Sequence, residues 1–352
     1  MKDHANKNIY VILGFLRCGT SVIARSLKTL SIDLGEKLKP PNDNWNPTGF
    51  FEDEEIVYDI HQKLHATLNE PKRSILFIDK NAYKNPAFDD IKNSSIALLN
   101  DRFKERSHFA FKDPGVAKIL PFWQSIFETL RLKDHYIIAV RNPLSSASSF
   151  SRLSGLDLEL SVLLWLIHML SAVSETYHRN TIFVSYDLMM QNPQHEILRI
   201  KNHFNLSVNP QEIDIFVKGF LNERIQHNRY TDEDLVLHPT ILAFPLCLKA
   251  YQLFMKLARD EIFLKDLEFT NSWQDIQTEL NHIYPLYVYL DKLLKKQKEL
   301  KGEIRNIKES LIWKVTSPFY KINYMLQKKR RLKKAKKKIY CLRIKFCHAS
   351  ML

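Results

Sequence analysis

Four short apolar runs stand out in the first 185 residues of the chain: Ile9–Leu13, Phe109–Phe111, Tyr136–Val140 and Thr181–Ser185. Segments of helical period separate them. Runs this short, without polar alternation, are the pattern of strands covered on both faces. Their alternation with helices predicts an α/β fold with a parallel β-sheet flanked by helices. Val162–Val173 is apolar at nearly every position and reads as a buried helix. It is shorter than the roughly 18–20 residues a membrane span needs, so no span is predicted. From about Pro285 the pattern changes. Leu286, Leu290, Leu293, Leu300, Ile304, Ile307 and Leu311 follow spacings of four and three, with Gln297 filling the gap. That heptad seam fits either an amphipathic helix lying on the globular domain or a coiled coil that forms a homodimer through residues 286–311. Pro318 is expected to stop this helix. The pattern divides the chain into an α/β domain over 1–240, a helical completion over 241–284, the heptad helix as a C-terminal helical extension over 285–317, and a tail over 318–352.

Composition changes this picture in two places. Of 352 residues, 45% are apolar, enough for a sizeable core, and the net charge is +13. Much of that excess lies in Lys328–Lys338, where nine of eleven residues are basic. Such a run fits a solvated tail, or contact with an anionic membrane surface or an acidic partner. Few aromatics interleave it, so no dedicated nucleic-acid site is expected. The four cysteines, Cys18, Cys247, Cys341 and Cys347, are scattered, without the density of a disulfide framework or the spacing of a metal site. The polar N-terminus carries no apolar signal core. A cytoplasmic protein is expected, with the tail allowing peripheral contact at the inner membrane surface, and no metal is expected.

The chemistry concentrates where apolar runs end. After the first run comes Gly14-Phe15-Leu16-Arg17-Cys18-Gly19-Thr20-Ser21, a glycine-bearing loop leading into the helical pattern Val22–Leu30. Backbone N–H groups at a helix start favour an anion. The spacing is that of a phosphate-binding P-loop, but Thr20 stands where the phosphate-gripping lysine belongs and the cation is Arg17. After the third run comes Arg141-Asn142-Pro143, and Ser149 follows Arg141 by about two helical turns. Taken singly, each reads equally as a glycine turn with an incidental arginine or as a serine-rich helix start. Together they suggest a ligand with two separated phosphates, bound outside the carboxyl ends of the strands.

The chain resembles the sulfotransferases that use 3′-phosphoadenosine 5′-phosphosulfate (PAPS). That family carries [KR]-x-G-T-[ST] after its first strand, matched by Arg17-Cys18-Gly19-Thr20-Ser21. It carries an arginine with a serine eight residues later, matched by Arg141 and Ser149. It often has a tyrosine and an acidic residue followed by a proline, matched by Tyr186, Asp187 and Pro193. The resemblance covers about residues 9–230. It implies a P-loop NTPase-like fold, PAPS as co-substrate and no metal. It places the 5′-phosphosulfate on Arg17, Cys18, Gly19, Thr20 and Ser21, the 3′-phosphate on Arg141 and Ser149, and the adenine beside Tyr186. Cys18 replaces a common serine, Leu188 a common second acid, and Gly115 an arginine frequent in relatives. Arg224–Arg229 is similar to a basic stretch late in bacterial members.

The implied reaction moves a sulfuryl group to a hydroxyl or amine of a glycan, lipid or small-molecule acceptor. Arg17 would stabilise charge growing on the leaving phosphate. Glu52 and Asp113 are the candidate general bases. Glu52 follows Asn46–Phe51, the end of a turn-rich loop from Pro40 expected to form a lid or a substrate wall. It reads equally as a first-turn helix carboxylate. Asp113 reads equally as the partner of Lys112 in an ion pair, and His61 as an exposed polar residue. Two rival readings stay open: a degenerate P-loop kinase, and a non-catalytic scaffold using the heptad helix and the basic tail.

Overall fold

A computed structural model of the chain describes residues 6–313, apart from Lys72 and residues 222–229, together with positions 316, 317, 319 and 327. Four expectations fall outside these residues: the basic stretch Arg224–Arg229, the helix stop at Pro318, the basic run Lys328–Lys338, and Cys341 with Cys347. By chain contacts there are two units, Met1–Val288 and Tyr289–Leu352.

All four apolar runs are strands: β1 (Asn8–Leu13), β2 (His108–Lys112), β3 (Lys133–Val140) and β4 (Asn180–Ser185). They form one parallel sheet in the order β2-β1-β3-β4. The helices in chain order are α1 (Thr20–Ser26), α2 (Gln62–Thr67), α3 (Asp89–Arg102), α4 (Val116–Leu130), α5 (Pro143–Ser154), α6 (Leu158–Thr176), α7 (Tyr186–Gln191) and α8 (Pro193–Phe204). Shorter helices α9 (Pro210–Asp214), α10 (Asp232–Leu237) and α11 (Pro239–Leu242) follow, then α12 (Pro245–Ala258) and the long α13 (Leu267–Glu309). From β1 the chain crosses to one side, to β2, and from β3 to the other, to β4. The strand order therefore reverses between β1 and β3. In open parallel sheets the crevice outside that switch point is where ligands bind. The register pairs Leu13 with Ile138 and Ile12 with Lys112, so the ends of β1, β2 and β3 open onto one edge.

The sheet is dry on both faces. Every residue of β1 from Ile9 to Leu13 and of β3 from Tyr136 to Val140 is buried. Helix α6 begins at Leu158, earlier than its apolar run, and is buried throughout Ser161–Val173. Its 19 residues are long and apolar enough to cross a membrane by length and composition. Burial within the fold gives those residues their apolar surroundings instead. Trp123 on α4 and Trp165 on α6 have no exposed surface. Truncating either to alanine would cost about 3–5 kcal/mol.

The change of pattern at Pro285 is not the start of a helix. Pro285 lies inside α13, which begins at Leu267. Proline lacks an N–H, so one backbone hydrogen bond is lost there, yet the helix runs on. The expected heptad positions Leu286, Leu293, Leu300, Ile304 and Ile307 are exposed on it.

Candidate functional site

The loop after β1 and the start of α5 meet at the switch point. Asn142 caps α5, its side chain accepting from the amides of Leu144 and Ser145, and Pro143 occupies the first turn, where a missing N–H costs nothing. This capping fixes the helix so that Ser149, buried, faces the loop. Arg17 Nε donates to Ser149 Oγ at 3.1 Å, and Arg141 Nη1 donates to the Arg17 carbonyl at 2.9 Å. Arg17 itself has φ 68, in the left-handed region that a non-glycine residue seldom occupies.

Tyr186, at the start of α7, closes the third side. The Arg141 guanidinium lies 4.4 Å from the centre of its ring. The same ring lies against Gly19, where φ is 85 and a Cβ would fall 2.2 Å from Tyr186 Cδ2. Glycine is required there by both backbone and space. Arg17, Gly19, Thr20, Ser21, Arg141, Ser149 and Tyr186 all border one cavity of ≈140 Å³. Seven of the eight residues expected to bind the donor therefore share a single site.

Cys18 is the exception. Its side chain is fully buried behind the loop, with Sγ donating to Ser146 Oγ on α5 at 3.3 Å, and burial pushes the thiol pKa up. The Cys18 side chain anchors the loop to α5 and does not border the cavity.

Cationic side chains gather at the cavity. Burial lowers the pKa of Arg17, and the neighbouring charges of Arg141 and Arg152 lower it further. Among the described residues Arg17 has no carboxylate partner; its Nη1 donates to the Trp45 carbonyl at 2.6 Å. A half-buried cation set beside like charges is destabilised, and an anion placed there would relieve it. A further cation comes from β2. Lys112 is buried, and its Nζ lies 3.3 Å from Ser21 Oγ and 2.7 Å from Glu52 Oε1. A lysine thus reaches the end of the loop after β1, from a neighbouring strand. Nothing local in the sequence signals this, because the pairing depends on the parallel register of β1 and β2.

Glu52 is not a helix-turn carboxylate. That role belongs to Asp53, whose Oδ1 accepts from the amides of Glu55 and Ile56 and whose Oδ2 binds Arg102 Nε at 2.8 Å. Glu52, just outside the helical turns, is buried between Lys112 and Lys39 and borders two cavities. The turn-rich loop before it is a wall. Besides the Trp45 carbonyl, Asn46 Nδ2 donates to Ser21 Oγ at 3.1 Å.

Lys112 and Asp113 do not pair with each other. Consecutive positions at a strand end point to opposite faces, so Asp113 turns away from the first cavity towards a second of ≈490 Å³. Its partner is His61, expected as an exposed residue but fully buried. Asp113 Oδ2 lies 2.7 Å from His61 Nδ1, and Trp123 Nε1 donates to His61 Nε2 at 2.8 Å. An indole N–H only donates, so Nε2 carries no proton and Nδ1 donates to Asp113. The other carboxylate oxygen accepts from the Gly115 amide at 2.9 Å.

The fold and site define a parallel α/β protein with an arginine-lined cavity at its topological switch point. No family model matches the chain, and no curated protein matches it. Solved structures to which the chain is similar include two sulfotransferase domains. A sulfotransferase domain from the Synechococcus PCC 7002 olefin synthase aligns with TM-score 0.39 and 16% identity, over 78% of this chain and 97% of that one. A sulfotransferase domain from the curacin biosynthetic pathway aligns with TM-score 0.36 and 17% identity, over 78% and 98%.

Proposed function

We propose that the protein is a PAPS-dependent sulfotransferase acting on an acceptor hydroxyl or amine. One observation carries the reading: Arg17, Ser149 and Arg141, from two separate strand ends, are linked around one cavity in which the half-buried Arg17 has like-charged neighbours and no carboxylate partner among the described residues. Such a set fits a nucleotide bearing two separated anionic groups. Arg17, Thr20, Ser21 and Lys112 would hold the phosphosulfate end, and Arg141 with Ser149 the 3′-phosphate. Tyr186 would border the base. When bound, PAPS supplies the sulfuryl group.

The chain's own residues have three tasks. Arg17 and Lys112 offset charge growing on the leaving phosphate, in a setting where fixed donors need no reorganisation. Glu52, at the boundary of the two cavities, accepts the proton of the acceptor hydroxyl as its oxygen bonds to sulfur. The Pro40–Asn46 wall, tied to Arg17 and Ser21, excludes water from the transfer. Asp113 holds the second cavity's shape through His61. The kinase alternative is weaker because its lysine position is Thr20 and because Arg17 takes the phosphate side.

The test is sulfuryl transfer from radiolabelled PAPS to a panel of hydroxyl acceptors, without Mg²⁺. The proposal expects labelled product, with turnover falling about 10²–10⁴-fold in Glu52→Gln. Transfer that is unchanged in that variant would remove Glu52 from the mechanism. A folded protein that neither binds nor uses PAPS would overturn the whole reading.

A further inference from the structure

The second cavity has a chemical character of its own. It meets the first at Glu52, Trp45 and Phe50, and its ≈490 Å³ falls in the range of small-molecule pockets, roughly 300–1,000 Å³. Leu16, Val57 and Pro114 complete an apolar wall with Trp45 and Phe50. Of its charged lining residues, Glu52 and Asp113 are buried and Arg73 is exposed.

Among the described residues that line this cavity, one buried side-chain polar atom has no hydrogen-bond partner. His168, on the buried face of α6, borders this cavity and is 1% exposed. Its Nδ1 lies 2.8 Å from the carbonyl of Leu164. A carbonyl only accepts, so Nδ1 carries the proton. Burial, with the charge of Lys118 nearby, pushes the imidazole pKa down to about 3, so the ring is neutral. Its Nε2 is then a bare lone pair, buried and without a hydrogen-bond partner among the described residues. Leaving a buried acceptor unmatched costs about 1–3 kcal/mol, a cost that a ligand donor relieves.

We infer that the second cavity is the acceptor pocket and takes a ring-bodied alcohol or phenol with a second hydroxyl or amine donor, which His168 Nε2 accepts. The first hydroxyl lies at Glu52, where the two cavities join. The ring lies against Trp45 and Phe50. A free sugar ring would bring several hydroxyls to an apolar wall, and Asp113 is already held by His61 and the Gly115 amide. His168 is a specificity residue in this account, and the inference rests on the reading of the first cavity as the donor site.

The experiment titrates the full chain by calorimetry, with adenosine 3′,5′-bisphosphate present, using 2-naphthol and three dihydroxynaphthalene isomers (1,5, 2,6 and 2,7) as probes. At least one isomer is expected to bind about tenfold tighter than 2-naphthol, the worth of one buried hydrogen bond. His168→Phe should abolish the preference, and His168→Gln, which retains an acceptor, should restore part of it. Equal affinities in the unmodified protein, no binding of any probe, or a preference that survives His168→Phe each overturn the inference. The comparison of probes in the unmodified protein decides the matter even if a variant fails to fold. If the bisphosphate does not bind but the isomers are discriminated, the donor reading fails and takes the acceptor role with it, leaving only the ligand preference set by His168. If the bisphosphate binds and the probes do not, the pocket inference fails alone.

Discussion

Arg17 Nε donates to Ser149 Oγ at 3.1 Å, across 132 positions of sequence. This bond ties the loop after β1 to the second turn of α5 and would set the spacing between the two subsites proposed for the donor. Ser149→Ala should weaken adenosine 3′,5′-bisphosphate binding about tenfold, the worth of a hydrogen bond to a charged group, with little change in melting temperature. Parallel calorimetry and thermal unfolding check this. An unchanged affinity would place the hydroxyl outside the site.

Gly19→Ala should do more damage than any other single-methyl change in the loop. The new Cβ would lie 2.2 Å from the Tyr186 ring, at a φ of 85. The ring must shift, and with it the Arg141 guanidinium that stacks on it. The expected outcome is about 1–3 kcal/mol of lost stability together with lost bisphosphate binding. Urea unfolding and a binding isotherm on the same preparation test both.

The Trp123–His61–Asp113 chain is a stability device for the wall of the second cavity. His61→Leu removes a buried donor to the Asp113 carboxylate and leaves the Trp123 indole N–H without its acceptor. A loss of about 3 kcal/mol is expected, seen as a lower denaturant midpoint with an unchanged slope. A midpoint equal to that of the unmodified protein would show that the chain carries no energy.

Stability should fall on mild acidification. His135, stacked on Tyr10, has its pKa lowered to about 4, mainly by burial, and His168 is lowered to about 3. His108 and His203 are lowered as well, chiefly by burial. In the unfolded chain each takes up its proton near pH 6.5. Between about pH 6.5 and 4 the unfolded state therefore binds more protons, and stability rises with pH. Full stability from these groups is present above about pH 6.5 and is lost as pH falls towards 4. A double variant, His135→Gln with His168→Gln, should flatten the slope of unfolding midpoint against pH over that window.

Much of this architecture was legible in the sequence because its signals are local. The four strands were short apolar runs, and the loop after β1 and Arg141-Asn142-Pro143 after β3 carried their own punctuation. What was hidden depended on pairing across the fold. Lys112 approaches Ser21 only because β2 pairs with β1, and Glu52 is free of the helix turn only because Asp53 caps it. His61 looked like a surface residue because nothing near it in sequence shows that Trp123 will cover it. His168 was hidden in a run whose apolar neighbours all read as core. The start of α13 was misplaced for a different reason: proline is a strong stop signal, yet Pro285 is accommodated inside the helix.

The measurement that bears most directly on the central claim is calorimetric binding of adenosine 3′,5′-bisphosphate without Mg²⁺, with ATP as the control and Arg141→Ala as the test. The account predicts that the bisphosphate binds, that ATP binds far more weakly, and that the variant loses about 10- to 100-fold in affinity, the worth of one or two hydrogen bonds to a charged group. A folded protein that ignores the bisphosphate, or binds it equally well without Arg141, would contradict it.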